Sequence, residues 1–183
     1  MKSGARYIAI ASGPIAKRRT ILVGVIFREN YIEGLLSSTI QVDGTDSTAR
    51  IIRMVERSRF KDQVRMLLFN GIALAGLNLI DPSALERRLK SRVIVLTRRR
   101  QRPKELIKAL REFSRLSGRE VSGRIALVNG YAKNKPLKTG DIFLQSTLEA
   151  HYLKKFAPSA LEALRIAHII ASGISKGESK GRV

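Results

Sequence analysis

The stretch RYIAIAS at residues 6–12, followed by TILVGVIFRE at 20–29 and YIEGLLSSTIQV at 31–42, indicates the fold more strongly than any other part of the chain. All three segments are rich in aliphatic and β-branched residues, which strands favour. Residues 20–29 are apolar on both faces, as in a strand at the centre of a sheet. Gly13-Pro14 ends the first strand. The short connection through Glu29-Asn30 predicts a hairpin between the second and third strands.

Helical and strand patterns alternate after this hairpin. Helices are predicted near 47–59, 83–90, 103–116 and from Pro158 onward; strands are predicted at 64–69, 92–97, 119–129 and 140–146. Asp46 and Asp81 precede the first two helices, where aspartate is a preferred capping residue. The alternation predicts an α/β fold with a mixed sheet and helices on its faces. No repeat or linker divides the chain, so we expect one domain over 1–175 and a basic polar tail at 176–183.

The composition of the 183 residues restricts the possible functions. The chain has 35 lysines and arginines against 15 acids, a net charge of +20, and no cysteine. The lack of cysteine excludes a disulfide framework, a cysteine-zinc site and a thiol nucleophile. No apolar run approaches the roughly 20 residues of a membrane span, and we expect a cytoplasmic protein. The surplus positive charge predicts a polyanionic partner, and nucleic acid is favoured over an anionic membrane or a role in solubility alone.

Two basic runs follow predicted strands. Lys17-Arg18-Arg19 come after the first strand, and residues 98–104 come after the strand at 92–97. Since the carboxyl ends of parallel strands meet at one edge of a sheet, we expect the runs to converge there, although separate solvated loops are the alternative. Aromatic residues are few, which favours phosphate contacts over base stacking. The predicted nucleic-acid contacts are Lys17, Arg18, Arg19, Arg98, Arg99, Arg100, Arg102, Lys104, Lys176, Lys180 and Arg182.

Residues with catalytic chemistry are scarce at these strand ends. Metal-dependent nucleases on α/β folds hold divalent metals with carboxylates, but Ala11, Ser12 and Asn70 stand at the ends of the first and fourth strands. The remaining loop aspartate, Asp43, precedes Gly44 and fits a turn equally well. The two histidines, His151 and His168, have no evident catalytic partner and suit a core or a helix surface. The small residues of the loop at 71–76 fit either a close phosphate approach or tight packing, and packing is favoured.

Several segments resemble a known family. They are IASGPIAK, VGVIFR, VDGTDST, NGIALAGLNLID and LRIAHIIASGISKGESKGR. They resemble an archaeal family of uncharacterised proteins, domain-of-unknown-function family ninety-nine, which is similar to endonuclease V. The resemblance implies a ribonuclease H-like fold and an edge that faces nucleic acid. It also implies metal ligands at two aspartates where this chain has Ala11-Ser12, and at an aspartate where it has Asn70; Asp43 matches the family pattern.

Three functions are compatible with these observations. The leading hypothesis is a nucleic-acid-binding protein without cofactor, which prefers RNA to DNA and could belong to a ribonucleoprotein such as the ribosome, on a fold that has lost its metal-binding carboxylates. The alternative is a Mg²⁺- or Mn²⁺-dependent endonuclease on damaged or deaminated nucleic acid, in which Asp43, Asp46 or Asp81 would supply the metal site. A third is a structural protein that docks on protein partners through the C-terminal helix, although the apolar pattern of that helix favours core packing.

Overall fold

The computed structural model describes residues 5–29, 31–148 and 150–179, apart from the side chains of residues 151, 152, 155 and 156. The predicted contacts Lys180 and Arg182 and the side chain of His151 lie outside this described part. The elements in chain order are β1 (Arg6–Ser12), β2 (Arg19–Arg28), β3 (Tyr31–Gln41), α1 (Ser47–Glu56), β4 (Val64–Phe69), β5 (Ala73–Leu74), β6 (Asn78–Leu79), α2 (Pro82–Leu89), β7 (Arg92–Thr97), α3 (Pro103–Ser117), α4 (Ser122–Ala132), β8 (Leu137–Thr139), β9 (Ile142–Gln145) and α5 (Ala150–Lys176).

The main sheet has seven strands in the order β3-β2-β1-β4-β7-β9-β8. β1 is antiparallel to β2 and parallel to β4, and β4 is parallel to β7. β9 then pairs antiparallel with β7. The predicted mixed sheet is therefore confirmed, with β1, β4 and β7 all ending at the same edge, which we call the carboxyl edge. The opposite edge, where these three strands begin, is the amino edge.

Alternation along the central strand β4 divides the core into two layers. Leu67 and Phe69 join a cluster under α1, α2, α3 and α4, whereas Met66 and Leu68 join a second cluster under α5. Because successive side chains of a strand point to opposite faces, both faces of the sheet need a cover. The helices supply it, so the predicted placement of helices on both faces is confirmed.

Two predicted elements were wrong. Residues 122–132 form α4 rather than a strand, with Arg124, Val128 and Tyr131 buried at helical spacing. Arg124 takes a place that an apolar residue usually fills, which hides the helical pattern in the sequence. The last helix begins at Ala150 and contains Pro158 instead of starting there, because Leu153 and Ala157 already pack on the sheet.

The two predicted helix caps differ in outcome. Oδ1 of Asp81 accepts a hydrogen bond from the backbone N–H of Ala84 at 3.0 Å, so this cap is confirmed. Asp46 stands at the start of α1, but its side chain makes no capping bond. It instead accepts from the Gln41 backbone, the Asn78 amide and Arg50, at 3.1, 2.8 and 3.2 Å. Burial alone would raise the pKa of Asp46, but these bonds hold the pKa below its ordinary value.

β3 is the outermost strand on its side of the main sheet, and it is eleven residues long. Three large apolar side chains on it face solvent: Tyr31, Ile32 and Leu35 are 75%, 51% and 55% exposed. None of the helices in the described part of the chain is long and apolar enough to cross a membrane.

Candidate nucleic-acid interface

A cavity of about 230 Å³ lies at the carboxyl ends of β1 and β4. Its position follows from the parallel register that pairs Ile10 with Phe69, because the chain then places Ala11, Ser12 and Asn70 side by side just beyond the pair. The cavity is lined by Ile10, Ala11, Ser12, Gly13, Pro14, Ile15, Asn70, Ala73, Leu74, Ala75, Gly76, Leu164 and His168. The structure thus brings together the three positions that the sequence resemblance associates with metal ligands.

The polar side chains around this cavity are not acidic. Ser12 Oγ is occupied by a hydrogen bond from the backbone N–H of Ala75 at 3.2 Å. Asn70 offers an uncharged amide, and His168 an imidazole. Among the described residues, no group of three or more histidine, aspartate or glutamate side chains is arranged to hold a metal ion. Since Mg²⁺ prefers anionic oxygen ligands, the side chains that line the cavity do not fit the divalent metal that an endonuclease V-like site would need.

Asp43 lies behind the cavity and is not one of its lining residues. Its Oδ1 accepts a hydrogen bond from the backbone N–H of Leu77 at 2.8 Å, and its own N–H donates to the Ala75 carbonyl at 3.0 Å. Its backbone has φ of 52°, in the left-handed region. Gly76, with φ of 81°, packs so closely on this carboxylate that a Cβ there would meet Oδ1. Asp43 therefore holds the β5–β6 turn that forms one wall of the cavity.

Arg124 of α4 supports the same turn from behind. Its Nη1 donates to the carbonyls of Asp43 and Leu77 at 3.2 and 3.1 Å, and its guanidinium carbon lies 4.9 Å from the centre of the Phe113 ring. The residue is only 5% exposed, and its Nε has no hydrogen-bond partner among the described atoms. Burial lowers the pKa of Arg124, and the nearby charge of Asp43 partly opposes this effect. Sequence reasoning missed Arg124 because it interpreted residues 119–129 as a strand.

Two further cavities continue from the first one along the carboxyl edge. A cavity of about 230 Å³ shares Asn70 and Ala73 with it and reaches Tyr131. A third cavity, of about 470 Å³, shares Arg102 and Tyr131 with the second and adds Arg100. Burial raises the pKa of the Tyr131 hydroxyl, which has no hydrogen-bond partner among the described atoms. The three cavities form an interrupted groove from α5 to the end of α4.

The predicted basic contacts lie around this groove. Lys17 and Arg18 are exposed in the β1–β2 connection, Arg19 is exposed at the first position of β2, and Arg98, Arg99 and Arg100 are exposed directly after β7. β1 and β7 are two strands apart, which corresponds to about 10 Å. Both runs are thus at the carboxyl edge, as their positions after β1 and β7 require. Lys104 is exposed in the first turn of α3, while Arg102 forms an exposed ion pair with Glu105 at 2.7 Å.

The end of α5 reaches the same edge. A Cβ on Gly13, in the loop after β1, would meet the Ser175 hydroxyl, which places the neighbouring Lys176 beside that loop. Leu164 and His168, one helical turn apart, line the first cavity. Sequence reasoning assigned His168 to the core or the helix surface and did not connect it with Ala11 and Asn70. Its spacing of four residues from Leu164 was the available signal.

Comparison with known proteins places this arrangement in a family. The family model described as Endonuclease dU matches residues 3–175. This chain belongs to the Endonuclease dU family. The chain is also similar to curated proteins. A UPF0215 protein of Methanothermobacter thermautotrophicus is 35% identical, and the match covers 99% of this chain and 93% of the relative. A UPF0215 protein of Archaeoglobus fulgidus is 34% identical, and the match covers 90% of this chain and 91% of the relative. The resemblance to an uncharacterised archaeal family is confirmed.

Solved structures agree with this assignment. A protein of unknown function from Archaeoglobus fulgidus has a TM-score of 0.81 and 30% identity, covering 93% of this chain and 98% of that chain. Human endonuclease V (ENDOV) has a TM-score of 0.54 and 12% identity, covering 93% of this chain and 84% of that one. At this identity the second similarity shows the fold alone. The Endonuclease dU family member described here therefore has the predicted ribonuclease H-like fold, shared with endonuclease V.

Proposed function

We propose that this chain binds nucleic acid along the carboxyl edge of its sheet, with RNA preferred over DNA, and does not cleave it by a metal-dependent reaction. The observation that carries this proposal is the combination of exposed cations with a cavity whose lining contains no carboxylate. The cations supply affinity for phosphate, and the uncharged cavity between them removes the means of holding a catalytic metal.

The electrostatics support phosphate binding by this edge. Lys17, Arg18 and Arg19 follow β1 and Arg98, Arg99 and Arg100 follow β7, and all six side chains are exposed. Of the ion pairs formed by described residues, none involves these six cations. Each phosphate that such a cation neutralises releases condensed counterions, which favours binding at low salt. The edge therefore supplies affinity without base-specific contacts.

The overall charge favours a target that surrounds the protein with phosphates, and RNA in a large particle is the target that we propose. A net charge of +20 on 183 residues repels itself unless many phosphates lie close by. Ribosomal RNA and other large ribonucleoprotein particles provide such a density of phosphates. Sequencing of the nucleic acid that copurifies with the native protein tests this part of the proposal, and a predominance of genomic DNA would contradict it.

Salt-dependent binding to a labelled single-stranded RNA tests the interface itself. The variant R98A/R99A/R100A should bind more weakly, with a log–log salt slope flattened by about 0.7 for each lost phosphate contact. The matched control is K108A/R111A/R115A, which removes the same charge from exposed positions within α3 that line none of the three cavities. Equal slopes for the two variants, or wild-type affinity that hardly changes with salt, would exclude this edge as the interface.

A metal-dependent endonuclease is the second candidate, because the matching family is described as Endonuclease dU. Deoxyuridine arises by deamination, so such an enzyme would act on deaminated strands. Incubation with Mg²⁺ or Mn²⁺ and strands that contain deoxyuridine or inosine tests this activity directly. Cleavage that is lost in D43A, while RNA binding is retained, would replace the non-catalytic proposal.

A further inference from the structure

We propose that this protein has a second nucleic-acid-binding surface, at the amino edge of the sheet, and that it holds two separate nucleic-acid segments at once. The proposal uses the same phosphate chemistry as the proposed function but a different set of residues. The sequence hides this surface, because the basic run from Arg87 to Lys104 is continuous along the chain. The structure divides the run with β7, so that Arg87, Arg88, Lys90 and Arg92 lie at the amino edge and Arg98 to Lys104 at the carboxyl edge.

The sheet register aligns arginines across four neighbouring strands at the amino edge. Arg28 of β2 pairs with Arg6 of β1, and Arg6 pairs with Val64 of β4. Arg65 follows Val64, and the next residue, Met66, pairs with Arg92 of β7. Arg28, Arg65 and Arg92 are all exposed. A row of cations thus runs across the beginnings of the strands.

The ends of two helices add to this row. α1 and α2 end at the same edge, because each leads into the start of a parallel strand. Arg57 follows α1, and Lys61 lies in the turn before β4. Arg87 and Arg88 occupy the last turn of α2. Cations near helix C-termini are favoured by the helix dipole, which accounts for Arg87 and Arg88. It does not account for Lys61, Arg65 or Arg92, which lie in a turn and in strands.

Nearby acids do not neutralise the surface. Glu33 pairs with Arg6, and Glu56 pairs with Arg88. Three other acids, Glu29, Asp62 and Glu86, are close in the chain. The exposed cations here that make no ion pair among the described residues are Arg28, Arg57, Arg59, Lys61, Arg65, Arg87, Lys90 and Arg92. They outnumber those acids, so the edge stays positive after every acid is paired.

The distance between the two edges makes the surfaces independent. β4 has six residues, and at about 3.3 Å per residue its ends are about 20 Å apart. The Debye length at physiological salt is about 8 Å, so charges at one edge scarcely affect a phosphate at the other. The core of the domain fills the space between them. Two segments of nucleic acid, rather than one backbone stretch, are needed to satisfy both edges.

Binding stoichiometry with a four-nucleotide RNA tests the second surface, because at about 3.4 Å per stacked nucleotide so short a strand does not reach round the domain from one edge to the other. Isothermal titration at physiological salt compares the wild type with R57A/K61A/R65A, R98A/R99A/R100A, the combined six-fold variant and the control K108A/R111A/R115A. All the substituted side chains are exposed, and thermal melting checks that each variant folds. In a second assay, one RNA is immobilised, the protein is bound to it, and a fluorescent RNA is then added. The fluorescence retained measures whether one protein holds both RNA molecules.

We expect the wild type and the control to bind two RNA molecules each, and each edge variant to bind one. Either triple substitution should reduce capture of the second RNA at least ten-fold. One molecule bound by the wild type, with R57A/K61A/R65A equal to the control, overturns the second surface and leaves the proposed function intact. Loss of the second molecule in R57A/K61A/R65A together with unchanged binding by R98A/R99A/R100A supports the amino edge and contradicts the proposed function. Binding of anionic lipid vesicles that depends on the amino edge, without RNA binding there, also overturns the inference.

Discussion

Nη1 of Arg124 lies 3.2 Å from the backbone oxygen of Asp43, and the same nitrogen reaches the carbonyl of Leu77 at 3.1 Å. The helix α4 thereby fixes the β5–β6 turn, which forms one wall of the first cavity. Since the bonds are partly buried and the donor is charged, they are stronger than bonds between two neutral groups. The shape of the cavity depends on a residue that does not line it.

Replacement of Arg124 by alanine should lower the free energy of unfolding by about 2–4 kcal/mol, because two partly buried carbonyls lose a charged donor and the buried side chain of Arg124 is removed. Chemical denaturation measures the change. R119A is the control: Arg119 also lies over the Phe113 ring, at 5.9 Å, but it is exposed. If R124A and R119A are equally mild, Arg124 does not support the turn.

Alanine substitutions at Gly76 and Gly118 separate the effect of the contact between Gly76 and Asp43 from the cost of a positive φ. Gly76 and Gly118 both have positive φ, but only a Cβ at Gly76 meets a neighbour, the carboxylate of Asp43. G118A should cost about 1–2 kcal/mol from the backbone conformation alone. G76A should cost about 1–3 kcal/mol more, from overpacking.

The additional destabilisation by G76A, beyond that by G118A, should largely vanish when G76A is made in the D43A background. A double-mutant cycle measures this coupling. Additive effects in that cycle would mean that Asp43 and Gly76 are not coupled. The same cycle reports on the turn without reference to any activity.

Carboxylates introduced at residues 11, 12 and 70 should create a metal site in the first cavity. The variant A11D/S12D/N70D is expected to be less stable than the wild type without metal, because three like charges lie close together. Saturating Mn²⁺ should then stabilise it by about 2.7 kcal/mol at a hundred-fold excess over Kd, which raises Tm by about 5–10 °C. Differential scanning calorimetry measures this shift.

The wild type and the charge-matched control A49D/S83D/A109D, with substitutions at exposed helix positions, should show no Mn²⁺-dependent rise in Tm. An equal rise in the wild type would show that its own side chains hold the metal. That outcome would favour the endonuclease candidate.

Asp46 should give the protein part of its sensitivity to acid. Its pKa in the folded chain is held below the ordinary value by hydrogen bonds, so the stabilisation is complete above the unfolded pKa of about 3.9 and is lost as the pH falls through the folded pKa. D46N does not ionise, so its free energy of unfolding should fall less steeply below about pH 5 than that of the wild type. D62N, at an exposed aspartate, is the control and should follow the wild-type curve. Parallel curves for D46N and the wild type would refute this role.

The sequence predicted β1, β4 and β7 well, because each is an aliphatic run bounded by turn residues or charges. The parallel pairing of these strands then explains why Ala11 and Asn70 meet, and their meeting was predictable. α4 was not, because the buried Arg124 replaces an apolar residue on its inner face. The role of Asp43 was also hidden, since it depends on the β5–β6 turn about thirty residues further along the chain.

The open strand β3 affects how copies of this protein associate with one another. Among the described residues no strand pairs with the outer side of β3, and its Tyr31, Ile32 and Leu35 are exposed; open apolar strands of this kind pair with strands of other molecules and aggregate. Electrostatic repulsion between copies that each carry a net charge of +20 opposes contact between their β3 strands. A polyanion bound as proposed reduces that repulsion, and the separation of the β3 strands of neighbouring copies then depends on the polyanion itself.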